Sequence, residues 1–258
     1  MAERKKYVSV RKEWRFTMES YFDMHSHILP GLDDGAKSEE QMKQMFQIAQ
    51  DEGIQYMVAT PHFYPGRTNN KAGHINEIYK KSKLTAESMG ITLYLGNEIS
   101  YMNGITEALE KKEALTLAGS FYVLIEFFPD QAYADIYRGL RKLIEGGFRP
   151  IVAHVERYNR MFDKDKYFQE LIEMGCLIQM NSVSVIGGPF DVQAKRCRKL
   201  IYNEYIHFLG SDCHNITGRS PLMKTAVNFL RKKKMPEDII QNITGKNAQS
   251  IINTGKGE

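Results

Sequence analysis

The chain has 258 residues, 42% hydrophobic and 26% charged, with a formal net charge of +4. That composition suits one large or two small soluble domains with an ample core, and the charge is too mild to call for nucleic acid as a partner. No apolar run reaches the roughly 18 residues of a membrane helix, and the charged N-terminus lacks a signal peptide's apolar stretch, so a cytoplasmic protein without stable membrane insertion is expected. Cys176, Cys197 and Cys213 are odd in number and lack C-x-x-C spacing, which argues against a disulfide framework or a thiolate zinc site.

Residues 1–20 read as a basic arm, in which Arg4, Lys5, Lys6, Arg11, Lys12 and Arg15 outnumber Glu3 and Glu13. It is expected to be a solvated extension, although Trp14 and Phe16 leave open a docking role toward an acidic partner or an anionic surface. Residues 21–258 form the folded domain. Strand-like runs are predicted at Tyr21–His25, Gln55–Thr60, Thr92–Leu95, Phe121–Glu126, Pro150–His154, Leu177–Asn181 and His207–Gly210. Helical patterns lie between them. The first begins with a capping box, Ser38-Glu39-Glu40-Gln41, followed by Met42, Met45, Phe46 and Ala49 at helical spacing. Others cover Ile75–Met89, Ala132–Glu145, Lys166–Met174, Val192–Asn203 and Leu222–Lys232, and several end in glycine before the next strand. Strand–helix alternation without a second composition regime predicts an α/β fold with a parallel sheet, either open or closed into a barrel. Neither G-x-G-x-x-G nor G-x-x-x-x-G-K-[ST] follows any strand, so the nucleotide-binding fingerprints are missing.

Polar residues cluster at the ends of these runs. The first ends Asp23-Met24-His25-Ser26-His27, with Asp33 and Asp34 in the loop beyond; the second leads into Thr60-Pro61-His62. The others give Asn97-Glu98, Ile125-Glu126, Ala153-His154 and Ser211-Asp212-Cys213-His214. Residues two apart in a strand share a face, so His25 with His27, and Asp212 with His214, are predicted to converge. In parallel α/β folds the carboxyl ends of the strands carry the active site. Imidazole and carboxylate donors without thiolate suit Mn²⁺, Fe²⁺ or Zn²⁺, and Mg²⁺ less well. The donors outnumber what one ion needs, which points to two or three ions that lower the pKa of bound water. Arg157 and Arg219, in loops beside His154 and His214, add bidentate grips for phosphate. His74 and His207 fall off the pattern and read as surface or structural residues. Cys213 to Arg219 has the C-x5-R spacing of cysteine-dependent phosphatases, but a carboxylate beside a thiol raises its pKa, and alternation turns Cys213 away from the site.

The motifs D-M-H-S-H-I-L-P-G-L-D-D-G, T-P-H, G-N-E, Y-V-L-I-E-F, A-H-V-E-R and G-S-D-C-H, in this order from Tyr21 onward, resemble those of the polymerase-and-histidinol-phosphatase (PHP) superfamily. Within it, they are similar to the bacterial manganese-dependent tyrosine-protein phosphatases encoded with capsule and exopolysaccharide genes. The resemblance implies a single-domain, distorted (β/α)7–8 TIM-like barrel holding two or three ions, Mn²⁺ first among them. It implies His25, His27, Asp34, His62, Glu98, Glu126, His154, Asp212 and His214 as metal ligands and Arg157 and Arg219 as phosphate contacts. The implied substrate is phosphotyrosine in the tail of a bacterial tyrosine kinase that controls polysaccharide export. A metal-bridging hydroxide would attack phosphorus, with His62 or His214 as candidates to assist the leaving phenolate. The chain departs from the pattern in its basic arm and in Phe63, where many members carry a second histidine.

Alternative readings are a small-molecule phosphoesterase of the same superfamily, such as a histidinol-phosphate phosphatase, and a non-catalytic metal-binding protein. Oligomeric state leaves no mark in the sequence.

Overall fold

The computed structural model describes residues 20–65 and 71–253, so the basic arm, Ser20 apart, lies outside the described residues. All seven expected strands are present: β1 (Tyr21–Ser26), β2 (Ile54–Ala59), β4 (Thr92–Leu95), β6 (Tyr122–Glu126), β7 (Arg149–Val152), β8 (Leu177–Asn181) and β9 (Phe208–Gly210). Two short strands extend this set. β3 (His62–Phe63) continues β2, and β5 (Glu98–Ser100) continues β4. The breaks fall at Pro61, which has no N–H to donate, and at Asn97. The Asn97 side chain satisfies the stranded backbone there, donating to the Pro61 carbonyl at 2.8 Å and accepting from the Leu115 N–H at 2.9 Å.

Helix α1 (Glu39–Asp51) starts where the capping box places it: Ser38 Oγ accepts the Gln41 N–H, and Met42, Met45, Phe46 and Ala49 form its buried stripe. α2 (Ala72–Ser88), α4 (Tyr133–Glu145), α5 (Asp165–Glu173), α6 (Val192–Tyr202) and α7 (Lys224–Lys232) follow the predicted stretches. The sequence reading missed α3 (Ile105–Glu110), α8 (Glu237–Gln241) and α9 (Asn247–Asn253), each too short to show a sustained period.

Every strand pair is parallel, in the orders β1-β2-β4 and β3-β5-β6-β7-β8-β9. The sheet curls until β9 and the residues after it meet β1. There the Asp212 N–H donates to the His25 carbonyl at 2.8 Å, the His27 N–H donates to the Cys213 carbonyl at 2.9 Å, and Ser26 pairs with Cys213. Asp23 clasps the same seam. Its carboxylate accepts from the Ser211 N–H at 2.7 Å and from the Ser211 hydroxyl at 2.5 Å.

The apolar core is split by this curled sheet. Met57, Val123, Ile125, Val152, Ile178 and Leu209 pack in the larger cluster with the helices, whereas Phe22, Met24, Val58, Leu124, Ile151 and Phe208 pack with Ile251 and Ile252 of α9. Burying a side chain of this kind contributes roughly 1.5–3 kcal/mol, so the apolar residues between the polar strand ends fix the frame that the polar residues use.

Candidate metal centre

The carboxyl ends of the strands carry the polar residues singled out by the sequence. His25 ends β1 on its site-facing side, Glu98 opens β5, Glu126 closes β6, and His154 follows β7. His25 and His27 converge as expected, with their Nε2 atoms 3.2 Å apart. Phe22 and Met24 pack in the smaller cluster, and the pairing of β1 with β2 shifts register between Asp23 and Ser26. Asp212 and His214 also converge, but not by strand pleat: β9 stops at Gly210, and Asp212 takes a left-handed conformation with φ 51°. His154 is left-handed too, with φ 29°. Such conformations cost about 1–3 kcal/mol in a non-glycine residue and gather at functional sites. Gly210 makes room for the cluster, since a Cβ there would stand 2.7 Å from His25 Cβ and 2.9 Å from Gln179 Nε2.

Glu98 lies at the centre and is buried. Its carboxylate is 2.6 Å from His154 Nε2, 3.1 Å from His27 Nε2, 3.1 Å from His62 Nδ1 and 3.2 Å from His25 Nε2. Asp212 Oδ1 stands 3.5 Å from both His25 Nε2 and His27 Nε2. Glu126 flanks His62 at 3.5 Å and His154 at 3.6 Å. Asp34, the most exposed of the set, is 3.4 Å from His62 Nε2 and 3.2 Å from His214 Nε2. Eight of the nine expected donors fall into three overlapping groups: His27, Asp34, His62 and His214; His25, His27, Glu98 and Asp212; and His62, Glu98 and Glu126; His154 lies outside these groups, beside Glu98 and Glu126.

The donor chemistry fits divalent cations. His27 Nδ1 sits 2.8 Å from Asp33 Oδ2, His25 Nδ1 sits 3.3 Å from Gln179 Oε1, and His214 Nδ1 sits 2.9 Å from the Asp212 carbonyl. Each partner is an acceptor, so each neutral ring carries its proton on Nδ1 and turns the bare Nε2 inward. The lone pairs of His25 and His27 then lie 3.2 Å apart and face carboxylate oxygens. Lone pairs opposed to lone pairs in a buried site call for a cation between them, and Nδ1–H bonds to oxygen acceptors are how metal-ligating histidines are oriented. Without the cation, protons take its place. Burial disfavours charge on each group, but the neighbouring Glu126 and Glu98 carboxylates raise His154 to about 9, and His154 and His62 pull Glu126 down to about 2. A metal would displace such protons.

Arg157 and Arg219 meet at the mouth on one atom. Their Nη2 groups lie 2.6 and 2.8 Å from Asp212 Oδ2, and Asn181 Nδ2 donates to the same oxygen at 2.8 Å. Both arginines remain over a third exposed. His74 is exposed, and His207 stands apart, accepting the Ile178 N–H on Nδ1 at 3.2 Å. Cys213 is buried in the larger core cluster, where burial and then Asp23 push its thiol up to about 12. Burial thus disfavours its thiolate form. Phe63 is buried.

The family described as capsular polysaccharide synthesis, CpsB/CapC, matches residues 21–253. The chain belongs to the CpsB/CapC family. It is 35% identical over 218 residues to the tyrosine-protein phosphatase CpsB of Streptococcus pneumoniae, a match covering 82% of this chain and 90% of the relative. It is also 30% identical over 214 residues to the tyrosine-protein phosphatase YwqE of Bacillus subtilis, covering 82% and 84%. A chain from the crystal structures of YwqE and CpsB, described as unique metal-dependent tyrosine phosphatases, matches with a TM-score of 0.80 at 28% identity, over 90% of this chain and 94% of its own. The Escherichia coli phosphotriesterase homology protein shares the fold alone, with a TM-score of 0.60 at 12% identity.

In this CpsB/CapC chain, several residues that shape the site escaped the sequence reading of roles. Asp33 accepts from the His27 ring and from the His62 N–H at 3.0 Å, and Gln179 Oε1 faces the His25 ring and takes the His154 N–H at 2.7 Å. The Ser100 hydroxyl donates to Glu126. Gln179 and Asn181 were discoverable as two polar residues at period two inside an apolar strand; Asp33 was visible beside Asp34, with nothing in the sequence to separate a ligand from its support.

Proposed function

We propose that this chain is a metal-dependent protein-tyrosine phosphatase acting on phosphotyrosine in the tail of a bacterial tyrosine kinase that regulates capsule or exopolysaccharide synthesis. The observation that carries this reading is the meeting of three overlapping imidazole–carboxylate groups with two arginines on Asp212. The names of the relatives support the same substrate class. We read the curled parallel sheet as a distorted TIM-like barrel of the PHP type, with residues 21–258 as its domain and 1–20 as an appended arm. No helix among the described residues is long and apolar enough to cross a membrane, and a cytoplasmic setting fits a kinase tail as substrate.

His25, His27, Asp34, His62, Glu98, Glu126, His154, Asp212 and His214 would hold two or three divalent ions, with Mn²⁺ the first choice for so many imidazoles and carboxylates. Such ions, when bound, act as Lewis acids toward phosphoryl oxygens and lower the pKa of water. The protein supplies the rest. Arg157 and Arg219 grip the non-bridging oxygens of the phosphoryl group, and their shared partner Asp212 holds both guanidinium groups at the mouth before substrate arrives. Asp33 and Gln179 fix the ring orientation of His27 and His25. Tyrosine departs as a phenolate of pKa ~10, so a strong general acid is not required; His62 and His214, beside exposed Asp34, are nearest to the solvent side from which a proton would come. The decisive substrate test is hydrolysis by the Mn²⁺-loaded protein of a phosphotyrosine peptide against histidinol phosphate. Preference for the peptide is expected; turnover of histidinol phosphate with the peptide untouched would move the assignment to a small-molecule phosphoesterase.

A further inference from the structure

Three exposed apolar side chains lie in the loops that follow β6, β8 and β9, each two residues beyond a residue of the site. Phe128 follows Glu126, Val183 follows Asn181, and Ile216 follows His214. They are 71%, 41% and 38% exposed. None hangs on a free loop. The residues on either side of Phe128 are tied to the Arg157 loop: the Phe127 N–H donates to the Tyr158 hydroxyl at 3.1 Å, and the Pro129 carbonyl accepts the Asn159 N–H at 3.1 Å. Val183 lies between Ser182, whose hydroxyl donates to the Leu222 carbonyl, and Ser184, whose hydroxyl donates to Glu156 at 2.7 Å, next to Arg157. Ile216 sits inside a turn in which Asn215 Oδ1 accepts the Thr217 and Arg219 N–H groups, both at 3.0 Å. These hydrogen bonds tie the chain beside Phe128 and Val183 to the segment around Arg157, and the turn holding Ile216 to Arg219.

We infer that Phe128, Val183 and Ile216 form an apolar collar that binds the side chains flanking the phosphotyrosine, so that the preferred substrate is a peptide carrying aliphatic or aromatic residues beside it. This rests on the phosphatase reading of the site. A peptide fits the collar better than a lipid surface does, because the cationic groups between the apolar ones are turned onto Asp212 inside the mouth, where they complement a single phosphate. The collar adds apolar area that only an extended substrate can cover; a small aryl phosphate reaches the arginines without touching all of it.

The test uses the Mn²⁺-loaded full chain, two phosphotyrosine peptides differing only in leucine or serine on either side of the phosphotyrosine, and p-nitrophenyl phosphate. The leucine peptide should be favoured over the serine peptide by about tenfold in kcat/KM, carried by KM, as covering one or two such side chains would give. In the combined Phe128→Ser, Val183→Ser, Ile216→Ser variant that ratio should fall toward one, while each single substitution lowers it part of the way. Equal kcat/KM for the two peptides in the unsubstituted chain would overturn the collar, as would an unchanged ratio in the variants. Sedimentation with phosphatidylglycerol vesicles that the same substitutions abolish would overturn it in favour of a membrane surface. Absence of hydrolysis with all three esters would instead sink the phosphatase reading, and the collar with it.

Discussion

Asp212 carries different contacts on its two carboxylate oxygens. Oδ1 faces His25 and His27, whereas Oδ2 takes Arg157, Arg219 and Asn181. It therefore joins the metal-ligand set to the phosphate grip, and Asp212→Asn is expected to damage both metal affinity and KM, read by Mn²⁺ titration and by steady-state kinetics on one preparation. Asp33 acts one contact further out. Asp33→Asn removes the carboxylate that orients His27, and Mn²⁺ affinity should fall by about 10–100-fold, with activity recovering at high Mn²⁺. Affinity equal to the parent's would show that Asp33 only shapes the loop. His207, outside the site, gives a pH prediction with a definite sign. Burial lowers its ring from the ordinary 6.5 to about 4, and its Nδ1 accepts the Ile178 N–H, which requires the neutral form. The unfolded chain takes up this proton first as pH falls. The stability contributed by His207 is therefore complete above about pH 6.5 and is lost between there and about pH 4, at up to roughly 1.4 kcal/mol per pH unit. Urea midpoints of His207→Gln should lack that part of the slope; a parallel pH profile in the two proteins would refute it.

At the level of elements, the first βα unit shows how local rules and tertiary constraint divide the work. Ser38 caps α1 through the Gln41 N–H, and Ser38→Ala should cost about 1 kcal/mol in chemical denaturation without touching the metal centre. Gly35 has a different burden: a Cβ there would stand 2.1 Å from the His27 carbonyl, so Gly35→Ala should displace His27 and weaken metal binding more than it lowers stability. The same unit shows what the sequence could reveal. Strand–helix alternation and the capping box placed β1 and α1, and nine polar strand-end and loop residues announced the cluster. Strict period two, however, could not show the register shift of β1 against β2 between Asp23 and Ser26, nor the left-handed turn at Asp212 where the residues after β9 meet β1, because each is set by pairing with a distant segment of the chain. Short helices such as α3 and α8 were invisible for a related reason: five or six residues held by tertiary packing need no strong period of their own. Supporting residues such as Gln179 and Asn181 looked like strand polarity until their partners, 25 to 154 residues away in sequence, stood beside them.

For the molecule as a whole, the sheet brings five imidazoles and four carboxylates from strand ends and the loops beyond them into one largely buried cluster, where a bound cation would relieve the opposed lone pairs. Metal binding at such a site would couple to folding. Mn²⁺ at about 100 times its Kd should stabilise the protein by roughly 2.7 kcal/mol per independent site, visible as a rise in Tm of roughly 5–10 °C, and EDTA should reverse it. On the proposed reading, the imidazole–carboxylate cluster, and not Cys213, drives hydrolysis of phosphotyrosine. That reading is tested most directly by assaying one phosphotyrosine peptide with the parent and Cys213→Ser proteins, as purified, after EDTA, and after Mn²⁺ is returned. EDTA should abolish turnover in both proteins, Mn²⁺ should restore it in both, and Cys213→Ser should keep activity. Turnover that persists in EDTA and disappears with Cys213→Ser would contradict that reading.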